Sequence, residues 1–202
     1  MKTKIEEIDA QTSAENLTNK NLSIENIVCT FNLNQEFDLE ILNNYLDYTE
    51  YEPESFPFLV YRPQKKQGTI LIPTNGKVSL VGCKKKEEVI QLAIHLIDQL
   101  SPIAPKELPT HEALIVQNIV VNGDLNHELD LSAIAVLLGI ENTEYEPEQF
   151  PGVIYRENDR ITMLLFSSGK FVVTGSTSYG QALSSVERLL DLFSQANIPI
   201  EL

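Results

Sequence analysis

The chain has 202 residues, 43% hydrophobic and 22% charged, with 15 Lys and Arg against 29 Asp and Glu for a formal net charge of −14. This composition excludes a disordered polymer. No run approaches the roughly 18 apolar residues of a spanning helix and the polar N-terminus lacks a secretory pattern, so a cytoplasmic, membrane-free protein is expected. As a whole-chain figure the acidity also argues against a polyanionic partner, because cations that neutralise phosphates dominate nucleic-acid affinity.

In chain order, residues 1–20 read as a polar tail. Residues 22–31 have β-type composition, and residues 37–48 (FDLEILNNYLDY) set apolar side chains at helical spacing behind a cap expected at Asn34. Three short strands follow, at 58–62, 69–72 and 77–81. Lys65-Lys66-Gln67-Gly68 and Thr74-Asn75-Gly76 separate them as turns, Asn-Gly being the sharper hairpin signal. A helix over 86–100 carries Val89, Ile90, Leu92, Ala93, Leu96, Ile97 and Leu100 and stops at Ser101-Pro102. The proline-rich stretch 102–109 reads as a linker, which places a first repeat at 21–104, the linker proper at 105–110 and a second repeat at 111–202. The second copy runs through the same order and closes on a helix from about Tyr179 to Ala196. Cys29 and Cys83 fit no metal-ligand spacing and are expected to be buried free thiols.

The repeat is visible directly. Tyr51-Glu-Pro-Glu-Ser-Phe-Pro recurs as Tyr145-Glu-Pro-Glu-Gln-Phe-Pro, Val60-Tyr61-Arg62 as Ile154-Tyr155-Arg156, Asn75-Gly76-Lys77 as Ser168-Gly169-Lys170, and Asn26-Ile27-Val28 as Asn118-Ile119-Val120. A long unit present twice is a duplicated half-domain, since a solenoid needs several short units. Hairpin-linked strands with helices at each end of the run predict an α+β fold. Two pseudo-symmetric repeats joined edge to edge would make one curved antiparallel sheet, a saddle with a bare concave face and helices on the convex side.

These residues resemble the TATA-box-binding protein family, in its archaeal form, over roughly 22–193. The resemblance rests on the two Asn-Ile-Val strands, the Tyr-Glu-Pro-Glu-x-Phe-Pro stirrup in both copies, Val153-Ile-Tyr-Arg156, and the Leu-Leu-Phe-Ser-Ser-Gly-Lys and Val-Thr-Gly motifs within 164–175. It implies a saddle-shaped transcription initiation factor that binds double-stranded, A·T-rich promoter DNA in the minor groove and recruits transcription factor B and, through it, RNA polymerase. It further implies a nucleoid-associated monomer on DNA, with weak homodimerisation open to the free protein. No cofactor is implied.

Residue by residue, the resemblance makes Phe150 and Phe166 a wedge pair that unstacks a base step. Phe56 matches Phe150, but Pro73, a smaller apolar wedge that cannot stack like an aromatic ring, stands where Phe166 does, and Phe58 replaces Gly152 and would partly substitute. Asn26 and Asn118 are the central polar readers, an amide donor being suited to the A N3 and T O2 acceptors of A·T pairs. Thr174 is a second polar contact, with Val81 at its counterpart. Val28, Leu71, Val120, Leu164 and Val172 would form the apolar floor, with Ser79 opposite Val172 in the repeat. Arg62, Arg156, Lys77, Lys170 and Lys84, the last in a Lys84-Lys85-Lys86 cluster, are expected at phosphates. Glu144, Glu146, Glu148 and Gln149 on the second stirrup are the expected partner-binding residues, facing a basic surface of transcription factor B.

The halves are electrically unequal: residues 21–104 carry 7 basic and 11 acidic groups (net −4), and residues 111–202 carry 4 and 13 (net −9). Limited phosphate neutralisation predicts affinity that rests on wedges and floor, with a shallow salt dependence. Nothing supports catalysis or a metal site: His95, His111 and His127 are isolated, His95 on a helix face expected to be buried, and there is no phosphate-binding glycine loop. The rival reading is a divergent paralogue with weak DNA binding that acts as a transcription-factor interaction module or regulator. A ligand-binding domain on the same helix-backed sheet is disfavoured by the paired Asn and Arg.

Overall fold

The computed structural model describes residues 3–5 and 22–198. Its described residues divide into two compact units, 3–5 with 26–117 and 22–25 with 118–198. Of the tail read over 1–20, only 3–5 lie among the described residues. There Thr3–Lys4 (β1) pairs antiparallel with Val116 and Ile115, and Ile5 is fully buried.

The first unit holds β2 (Ser23–Asn32, from Asn26 onward), α1 (Leu39–Tyr45), β3 (Thr49–Glu50), β4 (Leu59–Tyr61), β5 (Thr69–Ile72), β6 (Lys77–Cys83) and α2 (Lys86–Leu100). Its strands pair antiparallel in the order β3-β4-β5-β6-β2. The second unit repeats this with β7 (Ile115–Asp124, from Asn118 onward), α3 (Leu131–Leu137), β8 (Thr143–Glu144), β9 (Gly152–Arg156), β10 (Thr162–Phe166), β11 (Lys170–Ser176) and α4 (Tyr179–Gln195), in the order β8-β9-β10-β11-β7. Each unit is therefore an antiparallel sheet with two helices, the α+β class the sequence predicts.

Strand alternation separates two faces in each unit. Ile27, Cys29, Phe31, Leu59, Ile70, Ile72, Val78 and Leu80 are buried, as are Ile119, Val121, Val153, Met163, Leu165, Phe171 and Val173. Helix α2 packs on β6 and α4 on β11. Val89, Leu92, Ala93 and Leu96 are buried along α2, and Ala182, Val186, Leu189 and Phe193 along α4, so these stripes and the buried strand residues make the two cores. Cys29 and Cys83 are buried and unpaired. Burial pushes their thiols up to about 12 and about 11, with a smaller upward contribution from neighbouring Cys83 at Cys29 and from the Glu88 carboxylate at Cys83, which leaves both protonated and unreactive at neutral pH.

The first helix is shorter than its apolar spacing predicts. It starts at Leu39, and its cap is Asp38, whose side chain accepts from Glu40 N and Ile41 N. Asn34 instead occupies a left-handed turn (φ 59°), where its own amide N–H is held by Asn32 Oδ1. The helix stops at Tyr45 because Leu46 is extended and Tyr48 is left-handed (φ 63°). Asp130 caps α3 in the same way, through Ser132 N and Ala133 N. Asp38→Ala and Asp130→Ala are each expected to cost about 1 kcal/mol in urea unfolding, since each removes the acceptor for two otherwise orphaned N–H groups.

Candidate nucleic-acid interface

The residues between the buried positions of each strand form the face opposite the helices. Cross-strand register collects them into rows. In the first unit Val60, Leu71, Ser79 and Thr30 are successive neighbours; in the second, Ile154, Leu164, Val172 and Asn122 are. All eight are half-buried. Four of the five expected floor residues thus sit where alternation puts them next to Asn26, Asn118 and the rings: Val28 on β2, Val120 on β7, Leu71 and Leu164. Val172 completes the set on β11. Val60 and Ile154 are legible in the sequence only as repeat matches, and Thr30 and Asn122 carry no motif of their own, although the repeat offsets pair 60 with 154 and 30 with 122. The signal was present in the combination of period-two alternation and duplication.

The two asparagines are fixed by a backbone irregularity. The β2–β6 register slips between Ile27 and Cys29, and the β7–β11 register slips between Val173 and Ser176. Each slip contains a glycine at positive φ, Gly82 (84°) and Gly175 (93°). A bulge leaves an N–H without its ladder partner. The asparagine side chain captures it, with Gly82 N donating to Asn26 Oδ1 at 2.8 Å and Gly175 N to Asn118 Oδ1 at 2.7 Å. Since Oδ1 is committed to the backbone, the amide orientation is decided and Nδ2 is the atom left to donate. Asn118 Nδ2 reaches Thr174 Oγ1 at 3.0 Å. Asn26 Nδ2 has no protein partner among the described residues, because Val81 takes the threonine's place.

Polar bonds beside these groups hold the rest of the face. Gln117 Nε2 donates to Thr30 Oγ1 at 2.7 Å in the first unit, and Asn122 Nδ2 to Glu25 Oε1 at 3.0 Å in the second. Ser23 Oγ also donates to Glu25 Oε1, at 3.0 Å.

The aromatic residues form a pair in each unit. Phe150 and Phe166 have ring centroids 5.8 Å apart, and Phe56 and Phe58 are 4.9 Å apart. Pro73 is half-buried at the end of β5.

The expected phosphate residues lie at the margins. Arg62 Nη1 is 2.8 Å from Glu50 Oε2, and Arg156 Nη2 is 2.8 Å from Glu144 Oε1, equivalent pairs bridging β4 to β3 and β9 to β8. All four side chains are more than half exposed, so such pairs are worth at most about 1 kcal/mol and are easily exchanged for another anion. Lys77 and Lys170 are exposed at the first positions of β6 and β11; Lys84 is exposed just after β6. Lys170 shares a shallow hollow with Asn122, Pro151, Phe166 and Val172, which sets a cation beside the apolar floor.

The acidic loop 145–149 is a turn in which Glu146 O accepts from Gln149 N and Phe150 N. Gln149 Nε2 donates to Glu146 Oε2, and Glu148 is exposed. Among the described residues, Glu144 is the expected partner residue engaged in an ion pair, with Arg156.

His95 is half-buried on α2, with Nε2 2.7 Å from Tyr61 Oη. Burial first, then Lys66, lowers its pKa below the usual histidine value, against an opposing effect of Asp98. Among the described residues no His, Cys, Asp and Glu group could hold a metal, and no helix is long and apolar enough to cross a membrane.

An internally duplicated protein whose units each carry an antiparallel sheet with two helices, and on the other sheet face a fixed amide and a pair of aromatic rings, belongs to the duplicated α+β class. The family described as "Transcription factor TFIID (or TATA-binding protein, TBP)" matches residues 21–103 and 113–196. The TATA-box-binding protein of Thermoplasma acidophilum is 47% identical over 156 residues, covering 77% of this chain and 84% of that protein. TATA-box-binding protein E of Halobacterium salinarum is 41% identical over 169 residues, 83% of this chain and 90% of that protein. The solved structure of Methanococcus jannaschii TBP superposes with a TM-score of 0.73 at 38% identity, covering 87% of this chain and 99% of that one. The chain belongs to the TATA-binding protein family of transcription factors, in its archaeal form.

Proposed function

We propose that the chain initiates transcription by binding A·T-rich TATA-box duplex through the minor groove, bending it with aromatic wedges, and recruiting transcription factor B and, through it, RNA polymerase. It acts as a monomer on DNA, in the cytoplasm at the nucleoid. The observation that carries this reading is the locked pair Asn26 and Asn118: a bulge N–H holds each Oδ1, so each Nδ2 is presented as a donor to a groove floor that offers only acceptors at A·T pairs. The apolar members of these rows, Val60, Leu71, Ile154, Leu164 and Val172, would meet the N2 amino group of guanine without offering it an acceptor, which supports selection against G·C. The ring pairs supply wedges whose unstacking cost is repaid by the surface that a bent duplex wraps. Arg62, Arg156, Lys77, Lys170 and Lys84 contact phosphates, the two arginines exchanging their glutamates for them. Glu146, Glu148 and Gln149, with Glu144 beside them, form the surface for a basic partner.

Fluorescence anisotropy on a TATA duplex and a G·C-rich control, with end-to-end energy transfer, tests this. Preference for TATA accompanied by shortening of the end-to-end distance is expected. With four or five cations at phosphates, log affinity should fall against log salt with a slope of about −4. Equal affinity for the two duplexes, binding without bending, or a slope near about −10 would sink the reading. The rival, an interaction module with little DNA affinity, draws on Val81 beside Asn26 and on the acidic second stirrup. Undetectable TATA binding that Val81→Thr restores would favour it.

A further inference from the structure

We propose that Phe58 is the second intercalating ring of the first unit, reaching from the β4 side the place that Phe166 fills from β10 in the second unit; this rests on the minor-groove reading above. In the second unit Phe166 and Gly152 are direct cross-strand partners. Gly152 has to be small: a Cβ there would lie 2.8 Å from Leu165 O, 3.0 Å from Phe150 Cε1 and 3.2 Å from Phe166 Cδ1. In the first unit the same antiparallel register pairs Leu59 with Ile72 at the strand ends, and continuing it one residue past them matches Phe58 to Pro73. The large and small residues have changed strands. Side chains directly opposite each other in an antiparallel pair are about 5 Å apart at Cβ, so a ring transferred across the pair still reaches the same neighbour. It does: Phe58 packs on Phe56 at 4.9 Å with an interplanar angle of 38°, against 5.8 Å and 58° for Phe150 and Phe166.

Exposure supports a ligand role over a core role for these rings. Of the eight phenylalanines, Phe31, Phe37, Phe171 and Phe193 are buried. The other four are these two pairs, and Phe56 is 42% exposed. Pro73 has no aromatic ring to stack and fits a strand end, where its missing N–H breaks no ladder bond. Replacing Phe166 by Pro73 in the first repeat therefore does not remove a wedge. It moves the wedge to the partner strand, and Phe58 and Pro73 form one compensated exchange.

The test titrates the full chain onto TATA duplexes carrying 2-aminopurine at one or the other end of the A·T-rich element, a base whose fluorescence rises when its step unstacks. The parent is expected to raise the signal at both ends. Phe58→Gly is expected to abolish the rise at one end only and to weaken affinity roughly tenfold. Phe58→Gly combined with Pro73→Phe rebuilds the second unit's arrangement and is expected to restore both. Pro73→Phe alone puts two rings in one place and is expected not to tighten binding. A Phe58→Gly chain that unstacks both ends at parental affinity overturns the proposal and leaves the minor-groove reading standing; a parent that unstacks neither end overturns that reading and the proposal with it. If Phe58→Gly loses both ends, the double variant decides: recovery supports the exchange, and failure to recover refutes it.

Discussion

An Asn118→Asp chain is expected to unfold at the parental temperature and to bind a TATA duplex at least about a hundredfold more weakly. The substitution is isosteric, and Gly175 N keeps an oxygen to donate to in place of Asn118 Oδ1, so the bulge stays satisfied. The second oxygen replaces Nδ2. It then faces the A N3 and T O2 acceptors with no proton between them, and a full negative charge enters a groove walled by phosphates. An unsatisfied desolvated acceptor costs about 1–3 kcal/mol and a charged one more, which sets the hundredfold floor. Asn26→Asp is expected to be at least as severe: the Thr174 hydroxyl can turn to donate to a carboxylate at 118, but Val81 offers nothing to one at 26. Anisotropy with parallel thermal melts checks both variants. Binding within threefold of the parent, at unchanged stability, would show that these amides do not read the duplex.

Gly175→Ala is expected to destabilise the fold by about 3–5 kcal/mol, and the equivalent Gly82→Ala by only about 1–2 kcal/mol. Both glycines have positive φ, 93° and 84°, so both substitutions carry the left-handed strain of an L side chain. Space distinguishes them. A Cβ on Gly175 would fall 1.8 Å from Arg160 O and 2.7 Å from its carbonyl carbon, whereas one on Gly82 would meet nothing nearer than Gly68 Cα at 3.5 Å. The turn bearing Arg160 cannot simply retreat, because Asn158 Oδ1 holds both Arg160 N and Ile161 N at 3.0 Å. In a chain of this size the larger loss lowers the melting temperature by roughly 10 °C. Equal melting temperatures for the two variants would contradict the close approach of this turn to β11. Since Gly175 N also fixes Asn118, a chain that survives Gly175→Ala in part should lose TATA affinity along with stability.

The order of elements was legible because its signals are local. The repeat is identity at fixed offset, the strands alternate with period two, and α2 begins and ends where its apolar spacing and Ser101-Pro102 place the limits. Where a boundary depended on backbone conformation, the pattern misled. Apolar residues continue at helical spacing to Tyr48, but the left-handed φ there and the extended Leu46 end α1 at Tyr45, and Asp38, not Asn34, provides the cap. The candidate site divides in the same way. That Asn26 and Asn118 are matched positions of the two repeats could be seen in the chain; which atom of each amide faces outward could not, since a bulge glycine more than fifty residues away in sequence decides it.

The net charge of −14 is a property of the sequence alone, as are the duplication, the α+β class and the inventory of amides, rings and cations. Tertiary structure decided how that inventory is used. Arg62 and Arg156 are both in contact with glutamates of the adjoining edge strands, a pairing set by strand register. Phe150 and Phe166 meet at 5.8 Å because the fold brings side chains from a loop and a distant strand to one place, a neighbour that no pattern read along a single strand contains; in the first unit it is Phe58 that meets Phe56, at 4.9 Å.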